Sequence, residues 1–409
     1  MENSVTVIGG GPAGLVAAIQ AKQSGAERVT IIEREEELGG ILKQCIHNGF
    51  GLKLFKEDLT GPEYAERLID EVNALGIEYM LDTMALHITG DKEVLATNKK
   101  LGLISIKSHS IVLAMGCRER PRGNLIIGGT RPAGIFTAGT AQRLINIEGY
   151  LPGKRVVILG SGDIGLIMAR RLTLEGAEVL GVYEIMDHPG GLTRNIVQCL
   201  NDFSIPLYLK HTITEIHGND RVEGVAIAEV DASLEPVKGT ERFLPCDTLL
   251  LSVGLIPENE LSKAFGVEIS DLTKGPFVDE TMETNIPNVY SCGNVSVVFD
   301  LADYVAETAM IAGKYASDLV DKPSENTVRI IGGENIGVFY PQRYSGRGDL
   351  VLFLRSKKWI ENSATIVVEP LDMNFRVPYA RPNEMTRIKI PLDKLKGISG
   401  DLRVSIKEV

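Results

Sequence analysis

The chain has 409 residues, 44% of them apolar and 24% charged, with a formal net charge of −11. That length supports two or three domains with real cores, in the composition range of ordinary globular enzymes, and the acidic balance argues against nucleic acid as a partner. The longest apolar run, residues 248–256, is about half of what a bilayer span needs, and a strand begins so close to Met1 that no signal peptide fits, so a cytoplasmic location is expected.

Residues 5–8 read as a short β-branched strand, followed by Gly9, Gly11 and Gly14 in G-x-G-x-x-G spacing. Pro12 falls near the first helical position, where its missing N–H costs nothing. Ala13, Ala17, Ala18 and Ala21 then give the helix a small-residue face that can press on a sheet. Residues 28–32 make the next strand, which ends in Glu33, with Arg34 beside it. This arrangement suits a dinucleotide. Gly9 permits the tight turn, Gly11 admits a pyrophosphate to the backbone, and Gly14 lets helix and strand touch. The helix start offers unpaired N–H groups and partial positive charge. Glu33, 24 residues past Gly9, is placed to accept from the adenosine ribose hydroxyls.

Further along, Gly39-Gly40 allows close backbone approach. Thr60 and Glu63 form a capping-box start for a helix through Leu75, stopped by Gly76. Residues 77–110 read as short strands packed on the sheet. The segment 111–116 ends in Ala114, Met115 and Gly116. The nucleotide device then recurs 151 positions after its first appearance. The strand is 155–159, the glycines are Gly160, Gly162 and Gly165, and after Asp163 the helix runs from Ile164 to Glu175. The second strand, 177–183, ends in Glu184. A carboxylate there suits the 2′-OH of NAD. Against the 2′-phosphate of NADP it sets two like charges, costing roughly 1–4 kcal/mol at about 4 Å. NADH is therefore expected over NADPH, although Arg194 stands near enough in sequence to offset that charge.

Residues 249–257, with Gly254 and Pro257, precede a late stretch containing Thr284, Pro287, Val289, Tyr290, Ser291, Cys292, Gly293, Asn294 and Val295. A helix is expected over 303–319. Beyond Lys322-Pro323-Ser324 the pattern changes to short β-type runs at 350–354, 364–368, 386–390 and 402–406. No helix of useful length follows. Residues 325–409 thus read as a small β-sandwich-like domain for partner docking or oligomer contact, whose removal leaves both nucleotide sites intact.

In their order, the two G-x-G-x-x-G units and the late strand–glycine signature resemble the two-dinucleotide-binding-domain flavoproteins, the class of disulfide reductases and NADH oxidases. The resemblance implies an α/β fold of two Rossmann-like three-layer domains, the NAD domain (118–253) inserted in the FAD domain (1–117 and 254–324). The C-terminal β-rich domain follows them. It also implies that residues 111–116 form the strand leading back under the flavin, that 249–257 form the exit from the NAD domain, that Gly116, Gly254, Gly293 and Val295 belong to the cofactor-binding set, and that Asn294 stands where the family's acidic residue binds the flavin ribityl chain. The stretches 44–52, 116–122 and 131–139 are similar to a narrower branch of FAD/NAD subunits that accompany a separate dehydrogenase, such as anaerobic glycerol-3-phosphate dehydrogenase. Opine oxidase, hydrogen cyanide synthase and sarcosine oxidase alpha subunits share the Arg131-Pro132-Ala133-Gly134 type of stretch. A flavoprotein partner dehydrogenase is implied, and a homo-oligomer stays open.

The family's fold would place residues 39–50 beside the flavin. Cys45 there is either a redox thiol, as in single-cysteine NADH oxidases, or a small packed residue. His47 either relays a proton to flavin or bonds the backbone. The start of the helix from Asp303 would face the flavin pyrimidine edge and stabilise its reduced anionic form by roughly 0.3–2 kcal/mol. Arg118, Arg120 and Arg122 mark either an anion-binding surface or a solvated hinge. Cys45, Cys117, Cys199, Cys246 and Cys292 stand singly with no C-x-x-C, so reduced thiols and no metal site are expected. Two rival readings stay open: a free-standing NADH oxidase or disulfide reductase using Cys45, and a non-catalytic redox-sensing flavoprotein.

Overall fold

The β-branched runs Ser4–Ile8 and Arg28–Ile32 pair in parallel, with Ser4 opposite Arg28 and Ile8 opposite Ile32. Their side chains are buried on both faces, which is why they read as continuous apolar runs rather than alternating ones. The computed structural model describes residues 4–318, 327–398 and 400–408; Leu319 and the break at Lys322-Pro323-Ser324 lie outside the described residues. The chain divides into two units, Met1–Cys117 with Pro257–Val409, and Arg118–Ile256.

In the first unit the parallel sheet runs in the order Val289–Ser291, Ser110–Leu113, Ser4–Ile8, Arg28–Ile32, Glu78–Met80. The order reverses between Ser4–Ile8 and Ser110–Leu113, the type of position where open α/β sheets hold ligands beyond their carboxyl ends. The helices Pro12–Gln23, Gly61–Ala74 and Ala302–Ala316 share an apolar core with strand residues Val5, Val7, Val29, Ile31 and Val112. From the other face Ile8, Ile32, Ile111 and Leu113 pack with Ile88 and Val94 of a three-stranded antiparallel sheet, Thr83–Ile88, Glu93–Asn98 and Gly102–Lys107. The capping box forms as its sequence implies: the Thr60 hydroxyl accepts from Glu63 N–H, and the Glu63 carboxylate accepts from Thr60 N–H at 2.8 Å.

The strands past residue 327 do not stand apart from this unit. They form one five-stranded and one three-stranded sheet. Alternate residues of Leu350–Ser356 serve two cores, as a period of two requires. Leu350, Leu352 and Leu354 fill the space between the two sheets, while Val351 and Phe353 join Tyr340 and Met385 in the core beneath the first glycine helix. Arg347 adds a buried polar tie, donating to Asp279 Oδ2 at 2.6 Å, Glu283 Oε2 at 2.5 Å and Thr281 Oγ1 at 2.8 Å. Removing 325–409 would therefore strip Tyr340, Val351, Phe353 and Met385 from the first unit's core, which sets this packing against the expectation that both nucleotide sites survive the deletion.

The second unit repeats the parallel design, in the order Ile135–Thr137, Thr248–Leu251, Arg155–Leu159, Glu178–Glu184, Leu207–Leu209. Asp163–Leu174 packs on it, and a sheet of Gly128–Gly129, His211–His217, Gly224–Glu229 and Arg242–Pro245 shares a core with its other face. Among the described residues no helix is long and apolar enough to cross a membrane.

Candidate nucleotide-binding sites

The first glycine turn is held by backbone. Gly9 has φ +107°, and a Cβ there would lie 2.5 Å from Ala114 O, so only glycine closes this turn. A Cβ on Gly14 would lie 1.8 Å from Gly9 O. By contrast a Cβ on Gly11 would meet nothing nearer than Gly40 Cα at 4.0 Å, and the helix starting at Pro12 has no side-chain cap. Open space over uncapped N–H groups is what a diphosphate requires, so the residues present fit one. Ala13 lies buried in the first turn of that helix.

Glu33, 6% exposed, accepts from Gly10 N–H at 2.6 Å and from Glu35 N–H at 2.9 Å. Its two oxygens thereby fix the glycine turn to the end of its strand, and each retains a lone pair for a ribose hydroxyl. Arg34 points to solvent, 3.7 Å from the Glu35 carboxylate. Gly39 N–H donates to Gly10 O at 2.9 Å, and a Cβ on Gly40 would lie 3.0 Å from Gly11 Cα, so this pair collars the turn.

The second unit reproduces the device with the same bonds. Gly160 has φ +92°, and a Cβ there would meet Ser252 O at 2.2 Å. Glu184, 8% exposed, accepts from Ser161 N–H at 2.9 Å, Ser161 Oγ–H at 2.6 Å and Met186 N–H at 3.0 Å. The helix starting at Asp163 again lacks a side-chain cap. Gly162 stands at its start, and Gly165 N–H donates to Ser252 Oγ at 3.0 Å. A second collar, Gly190-Gly191, sits 151 positions after the first, with Gly190 N–H donating to Ser161 Oγ at 2.7 Å. Sequence reading missed this collar, although its glycine pair carried the signal. Asp163 was grouped with the nucleotide from its place in the motif. Its Oδ1 is instead engaged by Leu192 N–H at 2.8 Å and Asn195 Nδ2 at 2.6 Å, which pins the collar. Ile164 packs against the core. Arg194 is exposed.

Ala114 and Met115 continue the strand Ser110–Leu113 into the first turn, and Gly116 (φ +73°) accepts from Glu258 N–H at 3.0 Å. Gly254 (φ +103°) accepts from Arg120 N–H at 3.0 Å. Gly293 lies against Ala13, and Val295 is buried. Asn294 accepts from Phe299 N–H at 3.0 Å and donates to Cys117 Sγ at 3.6 Å, so its carboxamide braces the chain where the resemblance implied a ribityl contact. Arg122 donates to the carbonyls of Leu125 and Ile127, shaping its own loop, while Arg118 and Arg120 are exposed.

Cys45 lies at the start of Gly61–Ala74, its carbonyl accepting from Gly61 N–H at 2.8 Å and its thiol donating to Ile41 O at 3.3 Å. Burial pushes that thiol up to about 12, so it stays protonated near neutral pH. None of the five cysteines forms a disulfide. His47 Nδ1 is 2.9 Å from Asn48 O, which fits the backbone-bonded reading of that residue.

Known proteins resemble this chain in sequence or in fold. Residues 3–316 match the family described as pyridine nucleotide-disulphide oxidoreductase. An opine oxidase subunit of Agrobacterium tumefaciens (strain Ach5) is 26% identical over 333 residues, 76% of this chain and 64% of its own length. The chain thus spans less than two thirds of that relative. Hydrogen cyanide synthase subunit HcnB of Pseudomonas protegens is 25% identical over 342 residues, 78% of this chain and 70% of its own. Thioredoxin reductase of T. acidophilum superposes with a TM-score of 0.63 at 23% identity, covering 77% of this chain and 98% of that one. This last likeness is one of fold. Members of the family bind FAD and NAD(P).

Proposed function

Because the chain belongs to the pyridine nucleotide-disulphide oxidoreductase family, we propose that it is an FAD-dependent NADH oxidoreductase that works as one subunit of a larger dehydrogenase. The observation that carries the reading is the pair of matching cradles, in which Glu33 holds Gly10 and Glu184 holds Ser161 at one common register. FAD would sit on Gly9, Gly11, Pro12, Ala13 and Gly14, and NADH on Gly160, Gly162 and Gly165. When bound, the two cofactors supply hydride transfer between nicotinamide C4 and flavin N5.

The glycines and glutamates of the two cradles provide position rather than proton chemistry. Each helix start would stabilise a diphosphate, each glutamate would orient a ribose, and each glycine collar would limit how the nucleotide lies. Glu184 supports NADH over NADPH, because its buried carboxylate is fixed by three donors and cannot swing away from a 2′-phosphate.

A role within a complex is supported by two relatives whose names mark them as subunits. The partner would be a second flavoprotein that oxidises an organic substrate; glycerol 3-phosphate is the substrate suggested by the stretches 44–52 and 116–122. Co-purification from the native host, followed by assay of the complex with that substrate and an artificial acceptor, tests this reading. A stoichiometric dehydrogenase partner supports it. A chain that comes down alone, and turns over NADH by itself as fast as in extract, overturns it.

A further inference from the structure

The starts of two helices meet at the carboxyl end of the first unit's sheet. A Cβ on Gly293 would lie 2.7 Å from Ala13 Cβ and 3.3 Å from Val305 Cγ1, so the first turns of Pro12–Gln23 and Ala302–Ala316 flank Gly293. At their far ends Ser317 Oγ reaches Ser24 O at 3.5 Å. The helices therefore run side by side in one direction, and both positive ends face the crevice where the strand order reverses.

The segment entering the second of these helices is held from outside by the C-terminal strands. Arg355 Nη2 donates to Val298 O at 3.0 Å and lies 3.6 Å from Asp300 Oδ1. The Asp300 side chain is 6% exposed, and its Oδ2 accepts from Met385 N–H at 3.1 Å. Phe353 packs edge-on against Phe299 and Tyr304, at 5.2 Å from each. One turn on, Arg387 Nε donates to the Glu307 carboxylate at 2.9 and 2.7 Å.

We propose that the Arg355–Asp300 pair is a charge-balancing and positioning device for bound flavin. Asp300 places a nearly buried carboxylate at the mouth of a helix whose positive end favours electron-rich flavin, and Arg355 cancels that charge. The proposal rests on the FAD assignment above.

The test is the midpoint potential of the FAD-bound protein, set against reference dyes, for Arg355→Gln, Asp300→Asn and the double variant. Arg355→Gln removes one positive charge from beside Asp300, so the two-electron equilibrium should shift about three- to tenfold toward oxidised flavin, roughly 15–30 mV lower. Asp300→Asn should shift it the other way, and the double variant should return close to wild type. Shifts of one sign in both single variants, or none, overturn the proposal, because mere loosening of the fold would not reverse sign between them. Should Arg355→Gln fail to fold, Asp300→Asn decides alone: a rise supports the pair, and no change or a fall overturns it. A wild-type protein that neither carries nor takes up FAD would instead remove the premise.

Discussion

Ser161 is bound twice by the Glu184 carboxylate, through its N–H at 2.9 Å and its hydroxyl at 2.6 Å. The bond from Gly10 N–H to Glu33 is its counterpart at 2.6 Å in the first unit. In each case an acid at the end of a strand fixes the turn over which a nucleotide would lie. Strand end and turn are thus set together.

Glu184→Ala should remove both the brace on Ser161 and the ribose acceptor. Charge-assisted hydrogen bonds contribute roughly 1.5–3 kcal/mol, so kcat/KM for NADH should fall about 10- to 100-fold, mostly through KM. The preference for NADH over NADPH should shrink with it. Steady-state kinetics with both nucleotides checks this, and an unchanged ratio would count against Glu184 as the discriminating group.

Gly14→Ala should abolish FAD retention, because its Cβ would lie 1.8 Å from Gly9 O, where neither backbone can move independently. Gly25→Ala is the control. Its Cβ would meet nothing within 4 Å, so only the strain of φ +103° remains, about 1–2 kcal/mol. Flavin content and thermal unfolding of the two variants should separate cleanly.

Cys45→Ser should leave flavin reduction by NADH unchanged. With its thiol pushed up to about 12, Cys45 should also resist alkylation at neutral pH and gain reactivity only in strong alkali. Rapid labelling at pH 7, or activity lost in the serine variant, would revive the redox-thiol reading.

Phe353→Ala should destabilise the first unit by about 3–5 kcal/mol, since the ring is fully buried in the core beneath the glycine helix. Deleting 327–409 should accordingly cost FAD binding as well as stability. A truncated protein that keeps its flavin would show the C-terminal strands to be an appendage.

Glu280 gives a pH signature. Burial, and secondarily Asp279, holds its carboxyl above the ordinary carboxylate range. The folded state thus favours its protonated form. That contribution is fully present below the unfolded value of about 4.3 and is lost as pH rises through the folded value. Glu280→Gln should flatten the decline of Tm across that window; a slope identical to wild type would contradict the assignment.

The glycine turns, the acids that follow them and the two strands flanking each turn were legible because each depends on local spacing. The attachment of the C-terminal strands was not. The run Leu350-Val351-Leu352-Phe353-Leu354 is apolar at every position, so it conceals that its two faces serve different cores. The bonds of Arg347 to 279–283 span more than sixty residues and leave no local pattern. Asp163 and Asn294 matched nucleotide motifs by position, yet each spends its side chain on a neighbouring loop. A motif specifies where a residue stands; which way it turns depends on packing that spacing does not encode.

On the proposed function, the two nucleotide cradles of this chain serve one redox reaction. Rapid anaerobic mixing of the FAD-bound protein with NADH tests it most directly. Flavin absorbance should bleach rapidly on mixing with NADH, and much more slowly with NADPH. Flavin that stays oxidised under excess NADH, alone and with any co-purifying partner, would contradict it.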